Sequence, residues 1–212
     1  MHIPDGYVNL SVAVTVAVVT VVVLAVAARR VDGDIDGERA PLVGVVAAGI
    51  FAAQMLNWPI PGGTSAHFVG GALAAVLLGP HLGALAVATV VTVQTLVFGD
   101  GGVVVLGANV FNMAVIEVYV GYAVYRLLAP YSRFGAAFAA GWLGITAGAV
   151  AAALQLGVSS AFAYETLTVL AVMGVSHLLL GLVEGAITAV VSRSLVDARP
   201  DLWPDRTEVS AR

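Results

Sequence analysis

Long apolar segments separated by short polar or glycine-containing breaks dominate the chain. Read in order, they predict seven helices, near residues 8–29, 41–57, 67–79, 82–98, 104–129, 134–158 and 166–192. Several of these segments contain about 20 nearly uncharged residues, the length that an α-helix needs to cross a hydrocarbon core of about 30 Å. They lack the alternation, in pieces of about ten residues, that is typical of membrane β-barrels. The pattern therefore predicts an all-α integral membrane bundle of about seven transmembrane helices.

The third and fourth segments are shorter than the others. The stretch from His67 to Asp100 is broken at Gly79, Pro80 and His81, so it forms either two abbreviated spans or one re-entrant hairpin. Both alternatives return the chain to the same side of the membrane.

Composition narrows the chemistry that this bundle can perform. Of 212 residues, 60% are hydrophobic and 10% are charged, and the mean hydropathy is +0.99, which excludes an ordinary soluble domain. The absence of cysteine excludes disulfides, thiolate metal sites and iron–sulfur clusters, so any bound metal must use nitrogen or oxygen ligands. The chain also contains no lysine, hence no Walker A lysine. If ATP drives transport, another subunit hydrolyses it.

The arginines predict the orientation of the bundle, because short loops rich in Arg or Lys stay in the cytoplasm. With the N-terminus outside and the C-terminus cytoplasmic, every arginine lies inside, and the external charges are the acidic residues Asp5, Asp100 and Glu165. Residues 1–193 are expected to form a single transmembrane domain with an N-terminal arm, and 194–212 a polar cytoplasmic tail. The start of the chain lacks a basic region ahead of an apolar stretch, so we expect the free amine of Met1 to be retained.

The first two residues form a potential metal chelate. The Met1 amine, the deprotonated amide of His2 and its Nδ1 can close fused five- and six-membered rings, a planar arrangement suited to Ni(II), Cu(II) and low-spin Co(II). His67 is predicted on the same external side and can supply a fourth nitrogen, whereas His81 falls at a cytoplasmic turn and His177 inside the last helix. The alternative is that His2 is incidental and that His67 only caps a helix.

Four stretches of the sequence resemble the substrate-binding M component (CbiM or NikM) of energy-coupling factor transporters for cobalt and nickel. They are MHIPDGY at 1–7, PGGTSAHFVGGALAAVLLGP at 61–80, QTLVFGDGGVVVLGANVFNMA at 94–114 and HLLLGLVEGAITAVV at 177–191. The first two are specific, because they join His2 and His67 in one membrane protein.

This resemblance implies a seven-helix S-type component whose N-terminus inserts into the bundle and binds the metal through Met1, His2 and His67. It implies import of Ni(II) or Co(II) across the cell membrane as transported substrate, with no organic cofactor, and a connection to cobalamin biosynthesis. It further implies a transmembrane T component of the CbiQ or NikQ type, ATPase subunits of the CbiO or NikO type, and often a small N component. Membrane lipid is an expected partner and nucleic acid is not.

Several other polar residues fall within the predicted helices. Glu117 and Glu184 lie near the middle of the fifth and seventh helices, where an ionised carboxylate is costly, so we expect them to face the interior and to be paired or protonated. Structural hydrogen bonding is favoured over ion passage. Asn109, Asn112 and Asp5 are candidates to orient His67 or the N-terminal arm.

Two other classes of protein are also compatible with a helical membrane bundle. An intramembrane enzyme would need a nucleophile and a base, but Ser176 and His177 are adjacent on a helix and point about 100° apart. A self-contained secondary carrier would not need an N-terminal chelate, and the repeated broken helices typical of such carriers are not evident. The chelate also predicts that metal binding weakens as pH falls through the histidine range.

Overall fold

The computed structural model describes residues 1–31 and 39–198, which form seven helices and a short ribbon. The helices are α1 (Leu10–Val31), α2 (Arg39–Gln54), α3 (Gly71–Leu78), α4 (Pro80–Phe98), α5 (Leu106–Leu128), α6 (Arg133–Gly157) and α7 (Thr166–Ala198). The ribbon pairs β1 (Trp58–Pro59) antiparallel with β2 (Ser65–Ala66). The predicted all-α membrane bundle is confirmed.

Five of the described helices, α1, α4, α5, α6 and α7, are long and apolar enough to cross a membrane. The apolar part of α2, Ala40–Gln54, is shorter. Helix α7 continues to Ala198, six residues beyond its predicted end at 192. The rest of the predicted polar tail, and the acidic loop at 32–38, lie outside the described residues.

The third predicted helix, 67–79, is only partly helical. Residues 67–70 are non-helical and α3 begins at Gly71, because Gly70 has a φ of 73°, a left-handed conformation that a helix cannot contain. With eight residues, α3 is about 12 Å long and cannot span a bilayer alone. Non-helical backbone at membrane depth is tolerated only where protein covers it. The prediction that His67 begins the third helix was therefore wrong by four residues.

Helix α5 contains an internal irregularity. Its first turn, Leu106–Val110, is α-helical, Phe111–Ile116 is π-helical, and Glu117–Leu128 is α-helical again. A π-helical turn changes the direction of the side chains that follow, and such turns are often found at functional sites. Here the turn lies between Asn109 and Glu117, which both contact the segments that carry the candidate ligands.

Small residues allow α6 and α7 to pack closely. A Cβ on Gly185 would lie 2.5 Å from the carbonyl oxygen of Phe138, and one on Gly141 would lie 2.9 Å from the Cα of Gly185. His177, Gly181, Glu184 and Thr188 form the predicted buried stripe of α7. Helix α7 is thus fixed against the bundle along its polar stripe.

Hydrogen bonds gather the N-terminal arm and three loops at one end of the bundle. The bonds run from Met1 N to Ser65 O, Gly102 N to Ile3 O, Asn9 N to Ser159 Oγ, and Asn57 Nδ2 to Asp100 Oδ1. This grouping agrees with the relative placement predicted from the helix count. The chain direction places the described arginines of the helix ends at the opposite end.

Candidate metal centre

The first five residues form an arm that inserts into the bundle. Met1 and Ile3 have no exposed surface. Asn109 holds Ile3 on both main-chain groups, since Ile3 N donates to Asn109 Oδ1 at 2.8 Å and Asn109 Nδ2 donates to Ile3 O at 3.0 Å. The carboxylate of Asp5 accepts from Val103 N and Val104 N. Asn109 and Asp5 therefore position the arm, one of the two roles considered for Asn109.

The Met1 amine is buried beside the ribbon. It donates to Ser65 O at 2.6 Å and to Ser65 Oγ at 3.0 Å. Burial lowers the pKa of this amine to about 4, against the opposing influence of the Asp100 and Glu117 carboxylates. At neutral pH the amine is then uncharged. Its two hydrogens serve Ser65, and its lone pair is available to a metal ion.

The rings of His2 and His67 are stacked, with centroids 4.6 Å apart and planes inclined by 24°. His67 has no exposed surface and His2 only 3%. Among the described residues, neither ring nitrogen of His2 has a hydrogen-bond partner, and neither does Nε2 of His67. Buried polar atoms without partners are uncommon, because their desolvation is not compensated. A bound metal ion would compensate for the desolvation of these nitrogens.

The surroundings of each ring fix which nitrogen can bind a metal. His67 Nδ1 donates to Phe68 O at 2.8 Å, which leaves the lone pair on Nε2. Asp100 Oδ2 lies 3.6 Å from His2 Nε2, which favours a proton on Nε2 and a lone pair on Nδ1. Burial, with the charge of the nearby amine, lowers the pKa of His2 to about 3, so its ring is neutral at pH 7.

Glycines allow the loop after α4 to approach the arm. Gly101 has a φ of 90°, and a Cβ there would lie 3.2 Å from His2 Nδ1 and 2.8 Å from Asn109 Nδ2. A Cβ on Gly102 would collide with Asp5. The loop thus closes over the candidate ligands only because these two positions carry no side chain.

A polar cavity of about 430 Å³ opens above the site. His2, Asp5, Asn57, Ser65 and Asp100 are among its lining residues. Burial raises the pKa of Asp100, although the amine of Met1 and the Asn57 side chain oppose this. The two carboxyl groups, with no arginine among the described lining residues, make this cavity attractive to a cation.

The structure brings Met1, His2 and His67 together, and the other candidates form hydrogen bonds to other residues. His81 contacts the Tyr119 hydroxyl through Nδ1 at 2.9 Å, and His177 donates from Nδ1 to Met173 O at 2.8 Å. Asn112 pairs with the Gln155 amide and not with the arm. Within the described ranges, no three His, Asp or Glu side chains form a metal-holding group. The candidate site therefore depends on main-chain nitrogens.

Two partners of the site were not identified from the sequence. Ser65 holds the Met1 amine, and Asp100 faces His2. The sequence predicts Asp100 only as one of the external acidic residues. The signal for Ser65 was its place two residues before His67 in a glycine-rich loop, but register alone does not show which residue meets the amine.

Glu117 and Glu184 bind the main chain that follows His67. Glu184 accepts from Val69 N at 2.9 Å and Gly70 N at 2.8 Å, and Glu117 accepts from Gly71 N at 2.8 Å. The two carboxyl groups contact each other. Both are buried, as predicted, and they serve the hydrogen bonding that was favoured for them.

Fold and site together define a multi-pass all-α membrane protein with a buried cluster of nitrogen donors at one end. The sequence matches the family described as the cobalt uptake substrate-specific transmembrane region (CbiM) over residues 2–202. The chain belongs to this family, which confirms the resemblance found in the sequence.

Individual relatives agree with this assignment. A protein of Archaeoglobus fulgidus, named a fused nickel transport protein, is 56% identical over 95% of this chain and 68% of its own length. One of Haloquadratum walsbyi, named a metal transport protein, is 54% identical over 95% of this chain and 93% of its own. A crystal structure of a transition metal transporter is 34% identical, with a TM-score of 0.90 over 99% of this chain and 97% of that one.

Proposed function

We propose that this chain is the substrate-capture subunit of an ATP-driven energy-coupling factor transporter that imports Ni(II) or Co(II). The single observation that carries the proposal is the buried meeting of the Met1 amine, His2 and His67, with lone pairs left free on nitrogen. Membership of the family and the names of the relatives support a metal cargo.

The proposed ligands are the Met1 amine, the His2 amide nitrogen, His2 Nδ1 and His67 Nε2. An ion that enters the acidic cavity exchanges its waters for these nitrogens, and the proton of the His2 amide leaves. Four nitrogens in a plane suit Ni(II) and low-spin Co(II), which accept tetragonal geometry. Rotation of the His2 ring out of its stack with the His67 ring is needed to bring both donors into one plane.

In this proposal, other chains hydrolyse ATP and drive release of the ion. The proposed partners are a T component in the membrane, a pair of ATPase subunits and a small N component. The relatives that are fused nickel transport proteins are longer than this chain, which spans 68% of one of them. The proposed orientation places the N-terminus and the cavity outside and the C-terminus in the cytoplasm.

The alternatives find less support. The relatives compared are metal transport proteins and not enzymes. The buried His177 ring donates to a carbonyl on its own helix and not to a serine. A self-contained carrier remains the second candidate, and an assay of uptake with and without the partner subunits separates it from the proposed subunit.

The deciding experiment is calorimetric titration of Ni(II) and Co(II) into detergent-purified protein with a native N-terminus, beside His2→Ala and His67→Ala. We expect one ion per chain in the native protein, and loss of binding in both variants. His81→Ala is the matched control, because its ring contacts Tyr119 and not the arm, and it should bind normally. Absence of binding by the native protein would reduce the family assignment to a statement about fold.

The amine is tested separately by chain extension. One extra residue ahead of Met1 replaces the amine by an amide and places new atoms in a fully buried position, so binding should be abolished. The same extension after Arg212 should leave binding unchanged. Tight binding by the N-terminally extended protein would exclude the amine as a ligand.

A further inference from the structure

The segment that carries His67 has no regular structure of its own. Residues 67–70 lie between the ribbon and α3 and belong to neither. The main chain of Val69 is held from two sides, since Val69 N donates to Glu184 Oε2 at 2.9 Å and Gln54 Nε2 donates to Val69 O at 2.8 Å. Gly70 N donates to the second oxygen of Glu184 at 2.8 Å. Side chains from α7 and α2 thus replace the hydrogen bonds of a helix or strand.

The side chains that make these contacts are buried. Gln54 has no exposed surface and Glu184 has 2%. A buried main-chain group that loses its hydrogen-bond partner is left unsatisfied, which is costly in a surrounding of low dielectric constant. The two side chains, named here the clamp, therefore restrict the position of Val69 and Gly70 more firmly than surface contacts would.

The clamp lies next to the metal ligand in the chain. Val69 is two residues after His67, and the His67 ring is itself tied to the main chain by the bond from Nδ1 to Phe68 O. A displacement of Val69 moves Phe68 O and turns the ring with it. The direction of His67 Nε2 is consequently set from the far side by α7 and α2, while the arm contributes the other nitrogens.

We propose that Glu184 and Gln54 are positioning residues for His67, and that the clamp holds its Nε2 in the plane of the metal site. The proposal rests on the proposed function, because it concerns the ligand geometry of the same ion. It assigns a task to two buried polar residues that lie outside the ligand set. Ligands held in place beforehand bind a metal more tightly than ligands that must be ordered by it.

A purely structural role of the clamp would predict a different result for metal binding. If the clamp only satisfies main-chain N–H and C=O groups, its loss lowers the stability of the protein and leaves the metal-loaded site unchanged. If the clamp positions His67, its loss also weakens metal binding and alters the ligand field. The d–d absorption and circular dichroism of bound Ni(II) report the ligand field directly, so they distinguish the two roles.

The experiment compares the full-length native protein with Glu184→Gln, Gln54→Leu and Thr188→Val in detergent. Glu184→Gln leaves one main-chain N–H without an acceptor, and Gln54→Leu removes the bond to Val69 O. Thr188→Val is the matched control, because it removes a buried polar group from α7 one turn away, beside Gly141 of α6. Each protein is assayed for Ni(II) affinity, for the spectrum at saturating Ni(II) and for its unfolding midpoint without metal.

We expect Glu184→Gln to lower Ni(II) affinity at least tenfold and Gln54→Leu to lower it several-fold, both with an altered spectrum, while Thr188→Val keeps the native affinity and spectrum. Native affinity and an unchanged spectrum in both clamp variants would overturn the proposal, whatever happens to the unfolding midpoint. If Glu184→Gln does not fold, Gln54→Leu alone decides. Absence of Ni(II) binding in the native protein would instead count against the proposed function.

Discussion

A terminal amine is normally charged and solvated, whereas the amine of Met1 is buried and neutral. Its side chain and amine are buried against Ser65, so the amine is neutral before any metal arrives. The lowered pKa removes a proton that would otherwise compete with the ion. In the proposed metal site, burial of the first residue therefore favours cation binding, at a cost in desolvation that the two bonds to Ser65 partly offset.

The first prediction concerns protons released on binding. With the pKa of the amine near 4 and that of His2 near 3, both groups are already deprotonated at pH 7, so only the His2 amide loses a proton. Binding should release about one proton per ion between pH 5 and 8, and log affinity should rise by about one per pH unit. Near pH 4 and below, the amine and ring also take up protons, so the dependence steepens.

Calorimetry in buffers of different ionisation enthalpy measures this number. Release of about two protons at pH 7 would show that the amine keeps its ordinary pKa near 8 and is charged in the free protein. The sequence predicts that binding weakens as pH falls through the histidine range. With both groups buried, loss of the His2 amide proton causes the weakening in that range, and protonation of the amine and the ring adds to it only near pH 4 and below.

The second prediction concerns Gly101. Alanine there must adopt a φ of 90° and would place a Cβ 3.2 Å from His2 Nδ1. Gly99→Ala is a matched control, since Gly99 has a φ of 70° but no heavy atom within 4 Å of its Cβ position. Both substitutions should cost about 1–3 kcal/mol of backbone strain. Only Gly101→Ala should also lower Ni(II) affinity, by tenfold or more.

Calorimetry and thermal unfolding of the two variants separate these effects. Equal affinity losses would indicate that backbone strain in the loop, and not the contact with His2, controls binding.

At the residue scale, the sequence was most informative where chemistry is local. Met1 and His2 are adjacent, so their chelating geometry follows from covalent structure. The prediction that His67 lies on the same side as Met1 required the topology of the chain, which follows from the number of helices. The partners Ser65 and Asp100 depend on loop conformation, which periodicity does not determine. That limit explains why the donors, Asn109 and Asp5 were predicted, whereas Ser65 and Asp100 were not.

Helix α7 organises the interior at the scale of elements. Its buried stripe carries His177, Glu184 and Thr188, and small residues let α6 approach it. The positions of α1, α5, α6 and α7 were predicted within a few residues at most ends, because long apolar runs leave little choice in a membrane. The non-helical part of the third predicted helix, residues 67–70, was not predicted. Gly70 is compatible with a helix by composition, and only its φ of 73° excludes one.

The third prediction tests the close packing of α6 and α7. Gly185→Ala places a Cβ 2.5 Å from a main-chain oxygen of Phe138, which cannot move without displacing α6. The expected loss of stability is about 1–3 kcal/mol. Gly174→Ala on the same helix has nothing within 4 Å of its Cβ position and should be neutral or slightly stabilising. Unfolding midpoints in detergent measure both, and equal midpoints would show that α6 and α7 tolerate a wider separation.

At the scale of the whole molecule, the two ends of the bundle differ in chemistry. The arm and the acidic cavity occupy one end, and the arginines of the described helix ends occupy the other. This arrangement determines which loops lie on the same side of the membrane. The proposed import requires the cavity to face outward, and the distribution of arginine predicts that it does.

The fourth prediction tests this orientation with the chain's own lack of cysteine, which gives a background free of thiols. Tyr164→Cys lies in the loop at the cavity end, and Tyr131→Cys lies in the opposite loop, where the native side chain is 88% exposed. In intact cells, a membrane-impermeant maleimide should label Tyr164→Cys and should label Tyr131→Cys only after permeabilisation. The reverse pattern would place the nitrogen ligands toward the cytoplasm, where an ion could not be captured from outside, so it would contradict import even if metal binding were tight.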